Sequence, residues 1–526
     1  MSKYRLISQR RRKDQQSDSS KQEGSRTEPS FQLTGSLLGT LSYLRKTMGD
    51  SSDIVFRHIH NPGPNAKGGD ISVCYVDGLV DQLLLTRLIS DLEARYLAEE
   101  AERVEGGSSD KIGAGNVQNV YTGEEIIAGL LGGSAAVIFD GIKSAIVVSI
   151  PGGKYRSVEE PSTQTVIRGP KEGFTESIST NIALIRRRIR TPKLHFVDRI
   201  IGTYTRTRVT VAYIAGIANP AVVEEVLSRL DKIHIDSILE SSYIEEFIQD
   251  ESYTPFPTIM NTERPDAAAG GLLEGQVVIL VDGTPFVLVC PVTFFKFFLS
   301  SEDYYQRYDI ASFLRNIRLF SFLVAMLLPS VYIAVTTFHP EMLPTTLLIS
   351  LAAQREGTPL PALFEALLME ITFEVIREAG VRMPRVVGPA ISIVGALVLG
   401  QAAVQAGLVS AAMVIIVSFT AIANFVIPTF GMSAAVRLIR FGLMLLAGSF
   451  GLYGILVGII PILVHLVSLK SFGVPYFLPV APLSLNNMRD VFIRLPWPKM
   501  KKRPSYISVN NKMRQPAAPR DDNTKK

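Results

Sequence analysis

Three stretches of this chain carry no Asp, Glu, Lys or Arg: Leu319 to Phe338, Val386 to Val436, and Phe441 to Leu469. A helix rising 1.5 Å per residue crosses a hydrocarbon core of about 30 Å in roughly 20 apolar residues. The first stretch fits one span. The second is too long for one, and Gly400, Gln401, Gln405 and Gly407 near its middle mark a tight turn between two. The third reads as one span, or as a re-entrant or double pass over Phe441 to Val480 if the helix breaks at Pro461. With 47% hydrophobic residues among 526, the chain is expected to be an α/β soluble N-terminal half, made of two similar subdomains, followed by an all-α polytopic membrane domain.

The expected boundaries follow composition. Residues 1–34, with Arg10-Arg11-Arg12-Lys13, read as a disordered basic tail near anionic lipid. No apolar signal segment opens the sequence, so the soluble half is expected in the cytoplasm. Residues 35–155 and 156–317 form the two α/β subdomains, 318–485 a transmembrane domain of four to six helical segments, and 486–526 a basic C-terminal tail.

Duplication is read from two pairings. Ile71 to Gly78 alternates apolar and polar residues as Val209 to Gly216 does. Gly129-Leu130-Leu131-Gly132-Gly133, a strand, Asp140-Gly141 and a second strand recur as Gly271-Leu272-Leu273-Glu274-Gly275, a strand, Asp282-Gly283 and a second strand. Asp-Gly between apolar runs predicts a hairpin with a type I′ turn. Between the strands, Thr175 to Arg190 is expected to be a helix with Ile178, Ile182, Ile185 and Ile189 on one stripe, and Asn219-Pro220 opens another over Ala221 to Ile233.

Chemistry is sparse. Pro151 to Ser157 and Gly169 to Thr175 both lack the spacing of a phosphate-binding loop, and no serine, metal-protease or paired-cysteine motif is present. No catalytic, cofactor-binding or metal-binding residues are assigned. Cys74 and Cys290 lie in apolar runs and read as reduced core thiols. Arg186, Arg187, Arg188 and Arg190 lack interleaved aromatics, so a solvated or subunit-contact face is preferred over nucleic acid. The net charge of +5 is ascribed to membrane flanks.

The informative anomaly lies between His339 and Arg385. A helix ending near Gly380 carries Glu370, Glu374, Arg377 and Glu378 on one side and Leu363, Leu367, Leu368, Ile371 and Val375 on another. Either the acidic side faces a bundle interior or water-filled path, or the helix lies on the bilayer surface. A crossing would put Arg377, Arg382, Arg385, Arg437 and Arg440 on the cytoplasmic side. Five spans, however, would leave the tail after Trp497 outside.

Long stretches resemble the A-subunit family of bacterial spore germinant receptors, the GerA type: Asn65 to Asp70, Val166 to Ser177 with its continuation to Arg188, Phe373 to Pro384, and on through Gly388 to Gly407. The resemblance covers about residues 35 to 495. It implies a protein of the spore inner membrane, assembled with a transporter-like B subunit and a lipoprotein C subunit, taking part in nutrient sensing and cation release, with the A subunit a homo-oligomeric ligand-gated channel. On that expectation Glu370, Glu374, Arg377 and Glu378 line a cation pathway that Leu367 or Ile371 constricts. A secondary transporter, a membrane-anchored nucleotide-dependent enzyme and a non-conducting scaffold are the competing readings.

Overall fold

The computed structural model describes residues 31–59, 70–97, 116–152, 160–161, 164–383, 398–488, 490–504, 507 and 511–515. Arg10 to Lys13, Asn65 to Gly69, 153–157 and 384–397 lie outside them. The chain divides into two units, Met1–Met48 with Ile54–Gly152, and Gly49–Asp53 with Gly153–Lys526.

The first unit holds α1 (Leu37–Met48), β1 (Ile54–Ile59), β2 (Ile71–Val76), α2 (Gln82–Leu97), β3 (Asn116–Val120), α3 (Gly123–Leu131), β4 (Ser134–Phe139) and β5 (Ala145–Ser149). Its antiparallel sheet has the order β1-β2-β4-β5-β3. Val73, Val137 and Val148 from the strands pack with Leu85, Leu88 and Leu92 of α2. Thr122 starts α3 with a capping box closed by Glu125.

The second unit repeats that plan. It holds α4 (Ile178–Arg188), β6 (Leu194–Ile201), β7 (Thr207–Ile214), α5 (Pro220–Asp231), α6 (Ser241–Ile248), β8 (Met260–Thr262), α7 (Pro265–Glu274), β9 (Val277–Val281) and β10 (Val287–Cys290). The sheet order β6-β7-β9-β10-β8 is that of the first sheet, strand for strand, so the duplication read from the sequence is a duplication of topology. Asn219 caps α5 through Ala221 N at 3.2 Å, ahead of Pro220 at the first turn.

Asp140-Gly141 and Asp282-Gly283 do connect paired strands, but the turn type differs from the expectation. In each loop only the glycine is left-handed, at φ 85° and 91°, and the loop runs on to Ala145 or Val287. The aspartates have another task. Asp140 accepts from Leu37 N at 3.1 Å, and Asp282 from Ile178 N at 3.1 Å, so each caps the helix that opens its own repeat. Backbone bonds from Gly141 N to Gly35 O and from Gly283 N to Glu176 O, both 2.8 Å, complete the same joint twice.

The arginine run of α4 is also corrected. Arg186 is wholly buried and bidentate with Asp53, Nε and Nη2 each donating at 2.9 Å, while Nη1 donates to Leu194 O at 2.9 Å. A buried guanidinium needs such saturation. Its neighbour Arg190 is exposed. Cys74 and Cys290 are buried free thiols, and burial pushes the Cys74 thiol up to about 12.

After β10 the aromatic run Phe294–Phe298 packs against Phe322, Tyr476 and Phe477 and joins the sheet to the helical half. That half contains α8 (Tyr308–Phe338), α9 (Thr345–Glu356), α10 (Ala362–Arg382), α11 (Ala411–Phe425) and α12 (Phe430–Ser468). Helices α8 and α12 are long and apolar enough to cross a membrane. Within the second charge-free stretch the chain turns at left-handed Gly407, and α11 and the start of α12 both fall inside that stretch.

Helix α12 is two arms. It reverses at Gly451 (φ 62°, ψ −143°), so the region makes the double pass that was one of the two alternatives, with the break ten residues before Pro461. A methyl on Gly454 would stand 2.1 Å from Leu446 O, and one on Gly458 would press on Leu443 and Leu446, so the arms run back along each other. Proline only removes one helical hydrogen bond, and helices bend through it, whereas a left-handed glycine turns the chain. The result is a bundle with a sheet end and a distal end. At the sheet end Thr429 Oγ1 donates to Phe297 O at 3.2 Å and His465 Nε2 is 2.8 Å from Thr254 Oγ1; at the distal end Gly451 abuts Phe338 and His339.

The chain after Leu469 therefore emerges beside the second sheet. Ser471 Oγ donates to Thr258 O at 2.8 Å, Tyr476 donates to Pro257 O at 2.7 Å, and Arg315 of α8 donates to Asp490 O at 2.6 Å. In vesicles, Lys512→Cys should label from the side that bears the second α/β repeat and Ser449→Cys from the opposite side, against a low background because both native thiols are buried. Labelling of both from one side would remove the reversal.

Burial, with Glu240 and Glu246 nearby, pushes the Glu245 carboxyl of α6 up to about 7. An unfolded Glu loses its proton near ~4.3, so stability falls as pH rises between those values and is level above them. Glu245→Gln should leave stability unchanged near pH 4 and raise it by about 1–2 kcal/mol near pH 8, allowing for solvent screening. Melting curves of the purified full-length protein across this range test it, and a variant curve parallel to wild type would refute it.

Candidate functional site

Helix α10 runs from the distal end, where Leu363 lies against Gly448, towards the sheet end, where Phe373 meets Phe425. Its orientation decides between the two readings of its sequence. The charged side points into the bundle, with Glu370 only 1% exposed, while Phe364, Leu368, Ile371 and Val375 are exposed, Val375 at 63%. A helix resting on a bilayer surface would put its charges in water. This one turns its apolar side outward, as a helix surrounded by lipid or by other apolar helices does.

The partners of the acidic side come from the first arm of α12. Arg440 Nη2 lies 3.0 Å from Glu370 Oε2 and 3.6 Å from Glu374 Oε1, and the Arg440 side chain is 1% exposed. Arg437 Nη1 donates to Glu374 Oε2 at 3.0 Å, and Arg377 also pairs with Glu374 one turn along its own helix. Glu378 pairs with Arg382 at 2.7 Å on the exposed surface. Leu367 is partly buried in the helical core with Met413, Met444 and Ala447. The structure thus brings Glu370, Glu374 and Arg377 into one cluster, sets Leu367 behind it, and leaves Ile371 and Glu378 outside.

The cluster is not an acidic ring within one chain. Two carboxylates face three guanidinium groups, and both Glu370 oxygens, with Arg440 Nε and Nη1, lack aligned hydrogen bonds among the described residues. The pair is held by Coulomb attraction at low dielectric more than by directed bonds. Beside it, a groove of about 580 Å³ is lined by Ile371, Glu374, Val375, Arg377 and Phe441, among others. No group of three or more His, Cys, Asp or Glu placed to hold a metal occurs among the described residues.

Arg437 and Arg440 were legible only as charges flanking spans. They sit inside a helix that the sequence divides into charge-free segments on either side of them. The signal was their spacing of three, matched to the spacing of four between Glu370 and Glu374, which places each pair on one helix face.

Removing one member of a buried pair leaves the other uncompensated, at about 3–5 kcal/mol. Arg440→Gln should therefore lower the melting temperature of the detergent-purified protein sharply. Glu370→Arg combined with Arg440→Glu should recover much of the loss. A single variant that melts with wild type would show that the pair carries no stability.

The Bacillus/Clostridium GerA spore germination protein model matches residues 42–506. Spore germination protein KA of Bacillus subtilis (strain 168) is 47% identical over 492 residues, covering 92% of this chain and 89% of the relative. The membrane protein YfkQ of the same strain is 44% identical, covering 90% of this chain and 91% of its own. The crystal structure of the N-terminal domain of the A subunit of the Bacillus megaterium spore germinant receptor GerK3 is 39% identical, with a TM-score of 0.37, and covers 50% of this chain and 98% of that one.

Proposed function

Because this chain belongs to the GerA spore germination family, we propose that it is the A subunit of a nutrient germinant receptor that triggers germination from the spore inner membrane. Its α/β repeats face the cytoplasm, and its partners are further copies of itself, a transporter-like B subunit, a lipoprotein C subunit and the surrounding lipid. In this reading the oligomer is a ligand-gated cation channel, with no enzymatic step.

The observation that supports it most directly is the orientation of α10. Its buried acidic side faces α12, and its outward side offers Ile371 and Val375. In a ring of copies, that outward side meets neighbouring subunits or the central axis, where Ile371 forms an apolar constriction that closes by excluding water. Opening moves α10 relative to α12, so that Glu370 and Glu374 exchange their arginines for passing cations. Nutrient bound to a partner favours that state by its differential affinity for the two arrangements.

The test is potassium flux from liposomes holding the protein with its two partners, as nutrients are added. Glu370→Gln and Glu374→Gln should change the nutrient-gated flux, and Ile371→Ala should leak without nutrient. An intact complex that carries no flux under any nutrient would favour the scaffold reading, and saturable solute uptake without a cation current the transporter.

A further inference from the structure

Helix α6 stands outside the plan that the two repeats share, with no counterpart among the described residues of the first. One side of it is built in, since Ile244 and Ile248 are buried in one core with Ile279 of β9 and Leu288 of β10. The other side is open. Leu239, just ahead of the helix, Tyr243 and Phe247 recur every four residues and so line up as one apolar ridge, Leu239 exposed at 65% and Phe247 at 51%. Apolar residues scattered singly over a surface are ordinary; an aligned row of them marks a surface that another segment covers.

Charge narrows what can cover it. Residues 239–253 hold five acids, Glu240, Glu245, Glu246, Asp250 and Glu251, and no Lys, Arg or His. Asp250 is paired with Arg229, but Glu246 and Glu251, both exposed, have no base within ion-pair distance among the described residues. Behind the ridge, burial first and then Glu240 and Glu246 push the Glu245 carboxyl up to about 7, as negative charge without a counter-charge does. Asp250 also accepts from Phe472 N at 2.6 Å, so the ridge sits beside the chain that leaves α12, at the sheet end of the bundle. An anionic lipid surface repels such a face. It suits a protein segment that carries bases among apolar side chains.

The chain carries one. Residues 1–13 contain Lys3, Arg5, Arg10, Arg11, Arg12 and Lys13, no acid, and the apolar Tyr4, Leu6 and Ile7. They lie outside the described residues, joined to Phe31 by residues 14–30, which span up to about 60 Å when extended. Each copy has one such segment and one ridge, so pairing head to tail from copy to copy satisfies every copy of a closed ring. We propose that the ridge of Leu239, Tyr243 and Phe247 is the docking site for residues 1–13 of a second copy, whose apolar side chains cover the ridge while its bases meet Glu246 and Glu251. The inference rests on the oligomer of the reading above but not on conduction.

The experiment mixes separately tagged full-length Ser8→Cys and Ser242→Cys proteins in vesicles containing phosphatidylglycerol and oxidises them mildly, the native thiols being buried. A disulfide joining the two tags should form much faster than one between Ser8→Cys and Ser90→Cys, an exposed position of α2. Adding Glu246→Lys and Glu251→Lys to the Ser242→Cys protein should slow it roughly five- to tenfold, the worth of two exposed ion pairs. Salt raised from ~0.1 M to ~1 M should slow it too. Equal rates at 242 and 90, or a rate indifferent to the charge reversal, would overturn the docking. A variant bearing both cysteines that forms the disulfide only within single chains would overturn docking between copies. Crosslinking in detergent that is lost in these vesicles would assign the segment to anionic lipid and overturn the proposal as well. An oligomer that persists without the crosslink leaves the channel reading standing, and crosslinking without flux leaves the docking standing.

Discussion

The reversal at Gly451 is the constraint on which the helical half depends. A left-handed backbone in an apolar helix is tolerable only where no Cβ is present and where the two arms then bury each other, as the close approach of Gly454 to Leu446 does here. Because the chain turns there, the second arm returns to the sheet end. Ser471 and Tyr476 can then reach Thr258 and Pro257, and Asp490 can meet Arg315. A straight helix across the same residues would deliver the basic C-terminal segment to the distal end.

The first arm fixes the second relationship. Arg437 and Arg440 lie two to three turns inside α12 with their side chains largely buried, where an unpaired guanidinium is costly. They are tolerable because α10 presents Glu370 and Glu374 to them. The same pairing explains why α10 is charged inward and apolar outward. Saturated polar contacts govern the soluble half too, where Arg186 is buried only because Asp53 and the Leu194 carbonyl satisfy it. In both places burial of charge is a matter of partners distant in sequence.

That distance separates what the sequence discloses from what it conceals. The repeated sheets were legible because their signals are local: alternating strands, Asp-Gly loops and a capped α5. The second task of Asp140 and Asp282 was not, since each caps a helix more than 100 residues earlier. Arg186 read as part of an exposed run because Asp53 is 133 residues away. Whether Phe441 to Val480 makes one pass or two stays open in the sequence, which offers Pro461 as the place for a break, because whether Gly451 adopts positive φ is decided by how the arms pack. The acidic side of α10 was visible as a pattern; its neutralisation was not, because it depends on which residues of α12 face it.

The two repeats share a fold but not a connection. After β5 the first continues through Ile150 and Pro151, and after β10 the second continues through Pro291 and Val292. Only the second then enters the run Phe294–Phe298, whose rings pack on Phe322 of α8 and on Tyr476 and Phe477 of the returning chain. Each buried ring is worth roughly 1.5–3 kcal/mol, so this aromatic joint is a stiff coupling between the second sheet and the first membrane-length helix. Asp303 adds to it by holding Arg315 at 3.1 Å and Arg318 at 2.8 Å. Any displacement of that sheet is therefore passed to the base of α8 and to both ends of the α12 hairpin together, since all three are anchored within one contiguous core.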